Sequence, residues 1–155
     1  MSTENYVRNL RARVGTSPVN LVGAAGLVLN SAGELLLQRK RDTDRWTVPG
    51  GICELGEAFE DTLRRELQEE ADLTVERAEL LGVVSGGETF KRIGNGDEFY
   101  MYTAVYLVRG WSGTPRPDGE ESEELHFFSL EALPPLAGPV GRRAASLLRG
   151  RVGMA

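Results

Sequence analysis

The sequence predicts one α/β domain in which a mixed β-sheet lies between helices. Three observations carry that expectation. Apolar runs and two amphipathic stretches alternate in the order β–β–α–β–β–β–α. At 155 residues the chain suits one domain and is long enough to bury a real core. No internal repeat or linker divides it, so residues 1–155 are expected to form one unit, with residues 1–17 as an N-terminal helical extension.

The elements follow in order. Residues 3–14 place Tyr6, Leu10 and Val14 at i, i+4 and i+8, and Gly15 and Pro18 end that helix. It is expected as a packing element or a homodimer contact; Arg8, Arg11 and Arg13 give it a basic face that is solvated or reaches a phosphate. Leu21–Leu29 is nearly all apolar and fits a strand buried on both faces. A turn at 30–33 leads into a second strand, Glu34–Arg39. The charged loop Lys40–Arg45 runs into Trp46-Thr47-Val48-Pro49-Gly50-Gly51, where a proline and two glycines suit a sharp, irregular turn with close backbone approach. Trp46 either packs in the core or faces a pocket. The main helix is expected from Glu57 or Ala58 to Ala71–Asp72. Its N-cap is weak because Ala58 cannot cap, and Asp61 compensates as a first-turn acid. Val75–Ser85 reads as a strand. Glu88–Ile93 and Glu98–Val108 flank Gly94-Asn95-Gly96-Asp97, a strong hairpin signal. The loop Gly110–Glu121 precedes a last strand, Glu124–Phe128, and Ser129 caps a short turn that Pro134-Pro135 stops. A closing helix, Val140–Arg149, turns Val140, Ala144, Leu147 and Leu148 inward.

Composition narrows the function classes. No apolar run approaches the ~20 residues of a membrane span, and the N-terminus lacks a signal-peptide core, so a cytoplasmic protein without a membrane partner is expected. Cys53 is the only cysteine, which excludes an internal disulfide framework and a Cys-rich zinc site. The net charge of −5 divides as +3 over residues 1–50, −7 over 51–80 and −1 over 81–155. Charge so distributed is poorly suited to a nucleic-acid backbone, and nucleic acid is not expected as a partner. Concentrated carboxylates suit metal cations, through which a phosphate substrate can bind.

At about 100° per residue, Glu66, Glu69 and Glu70 fall within roughly a 100° arc of the main helix. Leu63, Leu67 and Ala71 occupy the adjacent stripe. Like charges at this spacing cost a few tenths of a kcal/mol per pair on a solvated helix. A bound divalent cation is the natural reason for gathering them.

The spacing runs Gly51, five residues, Glu57, seven residues, Arg65-Glu66-Leu67, one residue, Glu69-Glu70, one residue, Asp72, Leu73. It resembles the Nudix box, G-x5-E-x7-R-E-U-x-E-E-x-G-U with U apolar, at every named position except the last glycine, which is Asp72. The segment from Trp46 to Gly51 is similar to the lead-in of many family members, and the element order resembles the Nudix α/β/α sandwich with a mixed central sheet. At Asp72 a glycine would supply φ > 0 past the helix end; Asp tolerates that geometry at a cost of order 1 kcal/mol. No ligand is lost.

The resemblance implies Mg²⁺- or Mn²⁺-dependent hydrolysis of the diphosphate in a nucleoside diphosphate linked to another group, with a small nucleotide as substrate. Glu69 and Glu70 are implied as metal ligands, helped by Glu66 and the carbonyl of Gly50 or Gly51. Glu57 paired with Arg65 would lock the loop to the helix. The resemblance implies a general base on the helix or on a loop beyond it; of Glu120 and Glu121, before the last strand, Glu121 is the candidate, with a solvated acidic loop as its other reading and Glu66 as the alternative base. Arg39, Trp46, Phe90 and Tyr102 are candidate substrate contacts, each with packing or a solvated surface as its other reading; Lys40, Arg41, Arg92, Phe99 and Tyr100 belong to the same wider set. His126 is expected to pack, and Cys53 to have no redox role. An ADP-ribose proline would fall at Glu88 and a dinucleoside-polyphosphate tyrosine at Phe90, and a coenzyme A signature is absent. What remains is hydrolysis of nucleoside triphosphates or a broad nucleotide range, with ADP-ribose or nucleotide sugars as the alternative. A non-catalytic nucleotide-binding module on this fold would be expected to have lost box carboxylates, and all four are present. A carbon-centred isomerase would want Cys or His chemistry that is absent.

Overall fold

A computed structural model of the chain describes residues 4–41 and 44–153. In order, the elements are α1 Glu4–Val14, β1 Val19–Val28, β2 Leu35–Lys40, β3 Trp46–Thr47, β4 Gly50–Ile52, α2 Phe59–Ala71, β5 Thr74–Val84, β6 Phe90–Arg92, β7 Glu98–Ser112, β8 Ser122–Phe128 and α3 Gly138–Arg151. The first helix was expected from Thr3, which lies outside the described residues, as do Asp42 and Thr43 of the charged loop. Among the described residues no helix is long and apolar enough to cross a membrane.

The mixed sheet has the order β4-β1-β7-β5, with β6 added on β7. Its centre is a parallel pair: β1 and β7 run together from Val19 opposite Phe99 to Val28 opposite Val108. The other pairings in this sheet are antiparallel. A second, antiparallel sheet, β3-β2-β8, stands apart from it. The sequence did not separate the two sheets, and it read residues 46–51 as an irregular turn. That segment instead supplies β3 to one sheet and β4 to the other. Strands of two and three residues carry no periodicity of their own; their partners define them.

Strand parity builds two cores. Ala24 and Val28 of β1 and Ala104, Tyr106 and Val108 of β7 join Leu63, Leu67 and Ala71 of α2. The alternate residues, Ala25 and Leu27 of β1 with Val105 and Leu107 of β7, join Ala144 and Leu148 of α3. Both faces of β1 are therefore covered, which explains its unbroken apolar run. Each fully buried Leu contributes roughly 1.5–3 kcal/mol. At Gly26 a Cβ would come within 3.0 Å of Leu63 and 3.1 Å of Leu67, so α2 lies unusually close to β1.

At the other end of the chain's first helix, Arg11 does not reach toward a phosphate. Its guanidinium donates to the carbonyls of Ser17 (2.7 Å), Gly15 (3.1 Å) and Glu98 (2.7 Å) and lies 3.6 Å from Asp97. This pins α1 to the β6–β7 hairpin.

Helix α2 ends as the sequence suggested. Asp72 takes φ 57°, ψ 38°, the only non-glycine with positive φ among the described residues. Its N–H donates to the carbonyl of Gln68 at 3.1 Å, and its Oδ1 accepts from the Gln68 amide at 2.9 Å. Substituting Asp72→Gly should preserve or raise stability, by up to about 1 kcal/mol, because glycine adopts αL freely but loses the Gln68 bond. Asp72→Val should lower it by about 1–2 kcal/mol. Denaturant unfolding of the three proteins checks this; an Asp72→Val variant as stable as the parent would contradict the strain.

Candidate active site

The site begins with backbone proximity. Strand β4 pairs with β1, Gly50 opposite Ala25 and Gly51 opposite Ala24. A Cβ on Gly50 would run into the Ala24 carbonyl and the Ala25 backbone, and one on Gly51 would run into the Glu66 carboxylate. Two glycines therefore let β4 lie flat between β1 and the acidic face of α2. There the Gly50 N–H donates to Glu70 Oε2 at 3.0 Å.

Arg65 fixes this arrangement. It donates Nε to Glu57 Oε2 at 3.0 Å and Nη2 to Glu57 Oε1 at 2.8 Å. Nη2 also reaches the Ile52 carbonyl at 3.1 Å, and Nη1 donates to Glu66 Oε1 at 2.8 Å. Glu57 accepts further bonds from Thr62 Oγ1 at 2.6 Å and the Glu54 N–H at 3.1 Å. One guanidinium thus ties the loop before α2, strand β4 and the first carboxylate of the arc. Bonding to Arg65 holds the Glu57 carboxyl down at about 2.

The arc itself is strained electrostatically. Glu66 and Glu70 are buried, 5% and 2% exposed, while Glu69 is open to solvent. Burial, then the neighbouring Glu66 charge, pushes the Glu70 carboxyl up to about 8. Glu66 is also raised by burial, against the pull of Arg65. Glu121, from the loop before β8, adds negative charge felt by both. Asp118 Oδ1 shapes that loop, accepting the N–H groups of Glu120, Glu121 and Ser122 at 2.9–3.0 Å.

Glu66, Glu69, Glu70 and Glu121 line a cavity of about 310 Å³. Of the residues expected at a site, Gly51, Glu66, Glu69, Glu70 and Glu121 meet there; Glu57 and Arg65 support it from behind. The four candidate substrate contacts do not line it. Trp46 packs edge-to-face on Phe128 at 4.9 Å within the α3-side core. Arg39 turns to Glu123 (3.0 Å) and Glu124 (3.2 Å) on β8. Phe90 lies exposed against Tyr100. Tyr102 falls on the wrong parity of β7: Phe99, Met101 and Thr103 face the cavity, and residues of the Tyr102 row face away. His126 packs against Phe128, as expected, and Cys53 is buried.

Sequence reasoning missed Gln38, Lys91, Met101 and Thr103, and set Lys40 and Phe99 only among wider candidates. Gln38 and Thr103 are 2% and 3% exposed, and the Gln38 Oε1 and Thr103 Oγ1 atoms have no hydrogen-bond partner among the described residues. Such unpaired atoms cost roughly 1–3 kcal/mol each. The Gln38 amide approaches Glu70 Oε1 at 3.4 Å. No signal in the ELLLQR run separates Gln38 from an ordinary strand polar residue.

The donor set suits a hard cation. Carboxylate and carbonyl oxygens are what Mg²⁺ takes, and a buried, charge-repelled Glu70 beside a glycine cradle is what a cation would relieve. Among the described residues, no three acidic, His or Cys side chains converge tightly enough to hold a metal as they stand. Glu66 is instead engaged by Arg65 and Glu70 by the Gly50 N–H.

Comparison with known proteins adds context. A family model described as "NUDIX domain" matches residues 19–149. The chain is 42% identical over 66 residues to a "MutT-like protein" of Streptomyces ambofaciens, covering 43% of each chain. It is 30% identical over 118 residues to an "ADP-ribose pyrophosphatase" of Methanocaldococcus jannaschii, covering 75% of this chain and 66% of that one. The matches thus span well under the full length of these curated relatives. A crystal structure of a MutT NUDIX hydrolase from Burkholderia pseudomallei superposes with a TM-score of 0.71 at 29% identity, over 84% of this chain and 98% of that one.

The Glu57–Arg65 pair yields a pH prediction. A carboxyl lowered in the fold, from its ordinary value near 4.5 to about 2, stabilises the native state above pH ~4.5. That stabilisation disappears as pH falls toward 2. Glu57→Gln should therefore cost about 1–3 kcal/mol at pH 7, with the gap to the parent closing by pH 2. Urea unfolding at both pH values measures it; an equal gap at each would contradict the pairing.

Proposed function

The chain belongs to the NUDIX family, and from that premise we propose that it is a Mg²⁺- or Mn²⁺-dependent pyrophosphohydrolase that cleaves nucleoside diphosphate-X compounds. The observation that carries the reading is a cavity that gathers Glu66, Glu69, Glu70 and Glu121 around the Gly50-Gly51 backbone. Glu69 and Glu70, with Glu66 and the carbonyl of Gly50 or Gly51, would hold the cation. A Mg²⁺ or Mn²⁺ held there would neutralise diphosphate charge and make a water more acidic. Glu121 takes a proton from the water whose oxygen bonds to phosphorus, as the bridging P–O bond of the diphosphate breaks and the leaving phosphate keeps the bridging oxygen; Glu66 is the other candidate base. Arg65 keeps Glu66 and the β4 backbone in register with the substrate. The apolar part of the cavity, Ile52, Phe99, Met101 and Val140, offers a surface for the nucleoside.

Nucleoside triphosphates, or a broad nucleotide range, are the favoured substrates. ADP-ribose or nucleotide sugars form the second reading, favoured by the relative named as an ADP-ribose pyrophosphatase. Retention of all four box carboxylates argues against a purely nucleotide-sensing module. A cytoplasmic location fits these small soluble substrates.

The test is a panel of dNTPs, NTPs, ADP-ribose and sugar nucleotides with Mg²⁺ or Mn²⁺. Orthophosphate is assayed with and without added pyrophosphatase or phosphatase. Glu69→Gln and Glu70→Gln should each lower turnover at least about a hundredfold, or about 2.7 kcal/mol of barrier, with an intact circular dichroism spectrum. Near-normal rates in both variants at saturating Mg²⁺ would overturn the metal assignment.

A further inference from the structure

The cavity that holds the carboxylates is also lined by cations. Lys40 closes β2, and Lys91 sits on the short edge strand β6; both line the cavity. The Lys91 residue as a whole is exposed, but its ammonium end lies beside the start of α3. A Cβ on Gly138 would lie 3.7 Å from Nζ and 3.6 Å from Cε. Strand period explains why this lysine differs from its neighbour. Arg92 points the other way and pairs with Glu98 at 2.8 Å. Lys91 makes no ion pair or hydrogen bond among the described residues. Burial, and then the charges of Lys40 and Arg45, hold its ammonium below the ordinary lysine pKa.

A cation set into a cavity wall near two like charges, and paired with no carboxylate among the described residues, is costly unless an anion completes it. The cavity also has a problem of its own. A substrate bearing several negative charges must enter beside Glu66, Glu69, Glu70 and Glu121, and cations lining the same cavity offset that repulsion. We propose that Lys91 is a specificity-determining residue that binds the terminal phosphate of a nucleoside triphosphate. This inference rests on the pyrophosphohydrolase reading and narrows its substrate class. A terminal phosphate presents more negative charge, and three unsubstituted oxygens, to a compact ammonium. The sugar-capped phosphate of ADP-ribose presents less charge and more bulk.

The experiment compares Lys91→Gln, Lys91→Glu and Lys91→Arg with the parent, all in saturating Mg²⁺. Lys91 is exposed on an edge strand, so melting curves should confirm that each variant folds. The readouts are kcat and KM on a nucleoside triphosphate and on ADP-ribose, and calorimetric binding of inorganic tripolyphosphate. The ratio of kcat/KM for triphosphate over ADP-ribose should fall about tenfold or more in Lys91→Gln, through KM, and further in Lys91→Glu; Lys91→Arg should retain it. Tripolyphosphate affinity should fall in parallel. An unchanged ratio, or equal losses on both substrates, would overturn the proposal. If the parent hydrolyses no nucleotide, the pyrophosphohydrolase reading fails, and tripolyphosphate binding alone decides Lys91: weaker binding in Lys91→Gln supports it and unchanged binding overturns it.

Discussion

The structure depends on how closely strand β4 approaches the acidic face of α2. Gly50 and Gly51 leave room for that approach, and Gly26 lets α2 settle onto β1. Arg65 then spans the gap, with bonds to Glu57, to Glu66 and to the Ile52 carbonyl. Any side chain at Gly51 would occupy the space of the Glu66 carboxylate. A loop, a strand and a helix that are separate in sequence become one rigid edge, and the cavity opens against it.

That rigidity imposes an electrostatic cost. Glu66 and Glu70 are buried within reach of each other's charge, and both carboxyls are raised by burial. A stable fold alone would not gather them, since replacing buried charge by apolar residues is often neutral or stabilising. The same segment contains the contrasting case. Glu57, bonded to Arg65 and Thr62, is lowered to about 2 and stabilises the loop. Two kinds of carboxylate therefore stand a few residues apart, Glu57 lowered by its bonds and Glu66 and Glu70 raised by burial. Lys40 and Lys91 line the same cavity and give it a second sign of charge.

Much of this was legible in the sequence because it is local. The spacing from Gly51 to Leu73 fixes the loop–helix unit, and the Leu63, Leu67, Ala71 stripe fixes its buried side. The left-handed turn at Asp72 followed from the family resemblance, whose box has a glycine at that position. What was not legible is pairing at a distance. Strands β3 and β4 are too short to carry a period, so their division between two sheets depends on β2 and β1. In Glu98–Val108 nearly every side chain is apolar or aromatic, and a one-residue change of parity exchanges the faces. Tyr102 therefore read as well as Met101 or Thr103 for the ligand face, and only the α2-side packing of Ala104 and Tyr106 decides between them. Lys91 was hidden for a related reason: a lysine on a hairpin edge looks like solvated surface until the start of α3 is brought beside it.

The central claim is that close approach of β4 to α2 creates a divalent-cation site. Titration of Mn²⁺ into the protein, followed by the electron paramagnetic resonance signal of the free ion, tests it most directly. The account predicts saturable binding in the parent. It also predicts at least about a tenfold loss of affinity, or about 1.4 kcal/mol, in Gly51→Ala, whose methyl displaces the Glu66 carboxylate, and a comparable loss in Glu70→Gln. Absence of saturable binding in the parent, or undiminished binding in both variants, would contradict it.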